Sequence, residues 1–326
     1  MNAAMRTGLW AVADAGLFHL DVTAEIAKAE LRLVEEHLNC IAVNPTEGGR
    51  IYVGMRAGGV LRSPDYGNTW RDLHLPETDV YALAVAPLDG CLYAGTEPSK
   101  LFKSTDDGET WREMAALRQL PSAPSWSFPP RPWTSHVRWI APNPADADLL
   151  LVGIELGGVM RSSDGGESWE DHRPGAQKDC HALAWHPVET QRAYEAGGGG
   201  TAWSRDGGAT WTPADEGRDQ HYTWALAVDP EDPDRWFVSA SSGPGRAHSN
   251  GDAQAFIHRW EGKGPWQKTG REPLSSMPYA LCFTRDRLFA GLRDGRLLAS
   301  DDRGETWVRI RVEGPPLAGL RTLNAA

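Results

Sequence analysis

Three sets of side chains able to do chemistry fall at matched points of a repeating pattern. One turn position per repeat holds Asp14, Arg56, Glu97, Glu155, Gly198, Ser241 and Arg293. The start of the first apolar run of each repeat holds Asn39, Tyr81, Arg138, His181, Trp224 and Tyr279. Two residues earlier stand His37, Asp79, His136, Asp179, Tyr222 and Met277. Residues two apart on a strand share a face, so these sets are expected to line one mouth. The densest sector offers His136, Arg138, Glu155, Asp179, His181 and Tyr222, with Trp224 adjacent and His248 on an inserted loop. Ionisable groups clustered in a cleft make a functional-site candidate.

Three chemistries suit such a cluster. Glu155 and Asp179, with His181, could act as acid and base in glycoside hydrolysis, one carboxyl protonated and the other ionised. His136 and His181, with either carboxylate, could ligate a divalent metal. No cofactor is expected, however, and the metal is the less favoured use. Arg56, Arg138 and Arg293 could clamp a carboxylate or phosphate without reaction, with His136, Tyr222, Trp224 and His248 as further ligand contacts. The competing reading is a solvated polar rim of local ion pairs. Gly197-Gly198-Gly199-Gly200 is a turn and not a phosphate loop, because no Lys or helix start follows it.

The elements that would position these residues follow from an eight-residue signature, S-x-D-x-G-x-[ST]-W. It occurs as SPDYGNTW, STDDGETW, SSDGGESW, SRDGGATW and SDDRGETW, closing at Trp70, Trp111, Trp169, Trp211 and Trp307. A degenerate copy closes at Trp266. Each copy is preceded by three short apolar runs. Strand A usually ends at a Pro, as in Ile41-Ala42-Val43-Asn44-Pro45. Strand B is typified by Arg50-Ile51-Tyr52-Val53-Gly54, and strand C runs into the signature. Strand D starts at the Trp. Short apolar runs punctuated by Pro and Gly are buried strands. A period of about 40–45 residues is that of a four-stranded propeller blade.

The signature resembles the Asp-box, or BNR repeat, of sialidases, xyloglucanases, sortilin-type receptors and the photosystem II assembly propeller. The resemblance covers nearly the whole chain. It implies that Asp65, Asp106, Asp164, Asp206 and Asp302 are structural, each carboxylate accepting bonds from its own turn. The Arg-Ile-Pro motif of sialidases is absent. The expectation is an all-β, seven-bladed β-propeller of four-stranded antiparallel blades, a single domain over residues 1–326. Its seventh blade joins strands at residues 8–13 and 16–20 to a C-terminal strand A at residues 316–323. Residues 22–37 should supply its strand D, with partial helix as the alternative. The resemblance implies a sialidase-like or glycosyl-hydrolase-like protein that binds, and in one version hydrolyses, a sugar-like or acidic small molecule. The alternative is a non-catalytic scaffold for a protein partner.

Composition narrows the field. The 326 residues carry a formal net charge of −11, which argues against nucleic acid and anionic membranes as partners. Cys40, Cys91, Cys180 and Cys282 form no C-x-x-C pair and read as buried free thiols. No signal peptide or run of 18 apolar residues is evident, so a cytoplasmic monomer is expected. Two connections exceed the repeat: the Pro- and Trp-rich residues 112–135, and residues 241–255. Both are expected to overhang the mouth.

Overall fold

The computed structural model describes residues 6–128, 130–131, 133–284 and 287–326. Residues 1–5 of the N-terminal stretch, and Pro129 and Pro132 of the long connection, lie outside the described residues. The chain divides into two compact units. One is Asn39–Asp215, and the other joins Met1–Leu38 to Glu216–Ala326.

The first unit is built from four antiparallel sheets in chain order. In the second of them Val80–Val85, Leu92–Thr96, Leu101–Ser104 and Arg112–Glu113 take the roles of strands A to D. The third has only Val137–Pro142, Leu150–Ile154 and Gly158–Ser162 as strands, with a lone bridge from Arg161 to Glu170 in place of strand D. Strand B is buried along its full length, which explains its uninterrupted apolar reading. Strand B glycines set the spacing between consecutive sheets. A Cβ at Gly95 would overlap the Val137 side chain, and one at Gly153 would overlap Cys180 Sγ. The core then closes with side chains such as Tyr93, Val137, Ile140, Val152 and Met160. Leu117, Leu120 and Trp126, from the long connection, pack into this same core. That half of the connection covers its own sheet, whereas Trp133 is 83% exposed.

The second unit holds a four-stranded sheet (Tyr222–Val228, Arg235–Ser241, Phe256–Glu261, Gln267–Lys268) and one of eight strands. In the eight-stranded sheet Thr322–Ala325 pairs antiparallel with Thr7–Ala13, Leu323 opposite Ala11. The terminal strands therefore share one sheet, as the sequence predicts. The C-terminal strand lies later than expected, because Leu317 and Leu320 are spent as core plugs ahead of it. Ile26–Val34 is a strand and not a helix. Its alternating Ala27 and Ala29 are buried, so tertiary packing overrides the helical propensity of Ala, Glu and Lys. Val308–Glu313 joins it in parallel, Val312 opposite Ala27.

The five signature turns share one bonding scheme. In the first, Ser63 Oγ donates to Asp65 Oδ1 at 2.9 Å and accepts from Gly67 N at 2.8 Å. Asp65 accepts from Thr69 N at 2.8 Å and Thr69 Oγ1 at 2.9 Å. The same bonds recur at Ser104/Asp106, Ser162/Asp164, Ser204/Asp206 and Ser300/Asp302. Gly67 takes φ 77°, a region that penalises any Cβ. The hydrogen bonds from Thr110 and Ser104 hold the Asp106 carboxyl down at about 2. These aspartates are fully engaged in their turns. The four cysteines are free thiols, three of them buried.

Candidate functional site

A shared backbone irregularity aims the candidate side chains. Val80 pairs with Thr96 but Ala82 with Gly95, so Tyr81 is an extra residue against strand B. The same slip sets Arg138 apart between Val137 and Trp139, His181 between Cys180 and Ala182, and Tyr279 between Pro278 and Ala280. Each is a β-bulge, which bends the strand and re-aims a side chain.

In the unit of Asn39–Asp215 the bulges assemble a continuous polar cluster. His136 is 1% exposed, and its Nε2 lies 2.7 Å from Glu155 Oε2. Its Nδ1 lies 3.3 Å from Glu97 Oε2. Tyr81 stacks on the His136 ring at 4.0 Å between centroids, and Phe128 meets it edge-on. Arg131 donates to Glu97 at 2.8 Å and to Tyr81 Oη at 2.9 Å. Arg138 Nε is 3.7 Å from Glu155 Oε2. On the far side of Glu155, Asp179 Oδ2 lies 3.5 Å from Nε2 of His181, which is 2% exposed. One donor atom each from Glu155, Asp179 and His181 lie within 4.8 Å of one another. The five residues His136, Arg138, Glu155, Asp179 and His181 thus lie together. Arg56 stands apart from them, over the Tyr81 ring at 5.0 Å.

Electrostatics assign different states to the carboxyls. Burial pushes Glu155 up, but the His136 hydrogen bond and the Arg138, His136 and His181 charges outweigh it and hold the carboxyl at about 2. Glu97 is lowered likewise: burial opposes, and hydrogen bonds from His136 and Tyr81 with the Arg131 charge prevail. Glu195 behaves in the opposite way. It is fully buried below the cluster, its Oε2 accepting from Gln177 N at 2.8 Å, and burial pushes it up to about 8. Its Oε1 has no hydrogen-bond partner among the described residues.

Sequence reasoning placed His136 among the ligand contacts. In the structure His136 is buried between the Glu97 and Glu155 carboxylates. Glu97 and Tyr81 were among the mouth positions but outside the densest sector, and Arg131 was missed. The bulge at Tyr81 leaves no mark in the apolar pattern, and Arg131 lies in a connection without a repeat equivalent.

The unit containing Glu216–Ala326 carries a second, aromatic group. Tyr222 Oη and Tyr279 Oη bond the two nitrogens of His248, at 2.7 and 2.5 Å. Trp224 stacks on Tyr279 at 5.3 Å and on Tyr222 at 6.1 Å, and the His248 ring meets it edge-on at 4.9 Å. Arg293 donates to the His248 carbonyl and covers the Tyr279 ring. His248 is positioned by the short helix Pro244–Ala247 of the 241–255 insertion. Asp14, at the matched turn position, pairs with Arg321 at 2.5 Å.

No protein-family profile matches the chain, and no curated protein does. Solved structures do. A GH74 enzyme from Niastella koreensis superposes with a TM-score of 0.69 at 16% identity, over 96% of this chain and 51% of that one. The fold is that of a β-propeller. YCF48 bound to D1 peptide gives a TM-score of 0.57 at 18% identity, over 84% of this chain and 81% of that one. The WD40 repeats of RRP9 give 0.62 at 13% identity, over 88% and 83%. An ancestral GH74 enzyme gives 0.65 at 16% identity, over 84% and 38%. This chain spans about half or less of the length of these two GH74 enzymes. Propellers of this kind include glycoside hydrolases and non-catalytic scaffolds, so the likeness establishes the fold alone. Among the described residues no helix is long and apolar enough to cross a membrane.

Proposed function

We propose that residues 1–326 form one seven-bladed Asp-box propeller that binds a sugar-like small molecule at the Glu155 cluster. The convergence of Glu155, Asp179 and His181 carries this reading. Carboxylates held ionised accept hydrogen bonds from hydroxyl groups, and Arg138 donates beside them. Glycoside hydrolysis also needs a carboxylic acid that keeps its proton near neutral pH. Glu155 is held ionised, and Glu195, pushed up to about 8, is sealed from solvent. Binding is therefore better supported than turnover.

The test is a saccharide and small-acid panel, read by calorimetry and by product release, on the wild type and on Glu155→Gln/Asp179→Asn. Binding lost in the double variant, with the melting curve kept, supports the reading. Turnover in the wild type that the variant abolishes would make the protein an enzyme. The second reading is a scaffold for a protein segment, favoured by the likeness to a propeller solved with a peptide bound. It predicts no saccharide binding, and a peptide partner that the double variant retains.

A further inference from the structure

We infer that Glu155, Asp179 and His181 form a three-ligand site for a zinc-class divalent metal, with coordination positions left open for a ligand's hydroxyl groups. The open positions deepen the ligand-binding reading above and rest on it; the uptake of metal does not.

The donor set is the first argument. One imidazole and two carboxylates suit zinc, cobalt or manganese better than calcium or magnesium, which take oxygen alone. Three protein ligands with a free position is the arrangement of a reactive zinc site and not of a closed structural one. Spacing is the second. The donor atoms lie within 4.8 Å of one another. His181 Nε2 and Asp179 Oδ2 stand 3.5 Å apart. That exceeds a good hydrogen bond. It is close to the roughly 3.3 Å between two ligands on a tetrahedral ion with bonds of about 2.0–2.1 Å.

The third argument is the support around the ligands. The His136 hydrogen bond to Glu155 and the Arg138 Nε contact at 3.7 Å both fall on Oε2. A ligating carboxylate fixed through its other oxygen is the usual outer-shell device. His136 is itself fixed by Glu97 and by the Tyr81 ring. Asp179 depends on the missing side chain at Gly198, where a Cβ would overlap its Oδ2. Arg138 is the charge a metal must tolerate. Its Nε lies 3.7 Å from Glu155 Oε2, and two carboxylates still outnumber it.

The experiment uses the full chain, stripped with EDTA and dialysed against Zn2+ or Co2+ without any saccharide. Elemental analysis and the cobalt visible spectrum are the readouts. We expect about one ion per chain in a three-ligand environment. Asp179→Asn and His181→Ala should lose it. His136→Gln should weaken it by roughly 10–100-fold without abolishing it. Gly198→Ala deletes no ligand but displaces Asp179, and it should weaken uptake in a protein whose melting curve is unchanged. A wild type that retains no Zn2+ or Co2+ overturns the inference, and so do ligand variants that bind as the wild type does. Metal uptake with no saccharide bound would sink the sugar reading and leave the metal site standing. Saccharide binding in a chain that takes up no metal would do the reverse.

Discussion

At the residue scale, the serine opening each signature is as important as the aspartate. The resemblance directs attention to the carboxylate, but Ser204 is buried while Asp206 is exposed. Its Oγ donates to Asp206 at 2.7 Å and accepts from Gly208 N at 3.0 Å. Ser204→Ala leaves a buried amide unsatisfied, a loss of about 1–3 kcal/mol. Urea unfolding should show this, with ligand or metal binding at the Glu155 cluster unchanged. Glu195 gives a prediction of its own. Between its ordinary value of 4.5 and about 8 the unfolded chain has released this proton while the folded chain keeps it. The folded state then binds more protons, so stability falls as pH rises through that window. Glu195→Gln carries no such proton. The variant should gain on the wild type from pH 4.5 to 8 and hold a constant lead above it, in urea titrations at a series of pH values. A difference that does not change with pH would mean that Glu195 is not buried as a neutral acid.

At the element scale, the strands and their order were legible because each repeat carries its own punctuation: an apolar run, a Pro, and a signature turn. The Pro-ended runs became Val80–Val85 and Cys180–Trp185, and the turns after strand C fell where the signature put them. The bulges were not legible. A one-residue slip at Tyr81 or His181 changes where a side chain points without changing the residue types around it. Sequence phase could therefore gather His136, Arg138, Glu155, Asp179 and His181, but it could not say that His136 is buried between Glu97 and Glu155. Nor could it show that Leu317 and Leu320 precede the last strand as core plugs. That segment makes the element-scale prediction. Removing residues 315–326 takes away these plugs and the strand beside Thr7–Ala13. The exposed edge is a template for aggregation. The truncated chain should melt well below the full one and aggregate on heating, as followed by circular dichroism and light scattering. Full stability without those residues would show that the terminal pairing is dispensable.

At the scale of the whole molecule, the all-β fold was legible because the repeat states the same instruction many times over. The chemistry appears only once, and no repetition reinforces it. The two compact units differ in how they are drawn from the chain. One is a continuous stretch, Asn39–Asp215, and the other is assembled from segments on both sides of it. Thr7–Ala13 gains its outer neighbour only from Thr322–Ala325. On a ribosome adding about 5–20 residues per second, the roughly 300 residues between these strands take about 15–60 s to make. Before that interval ends the continuous unit has been made in full, while Thr7–Ala13 still has an open edge. A strand made before the continuous unit is finished only after it, and a nascent-chain chaperone would find its work there.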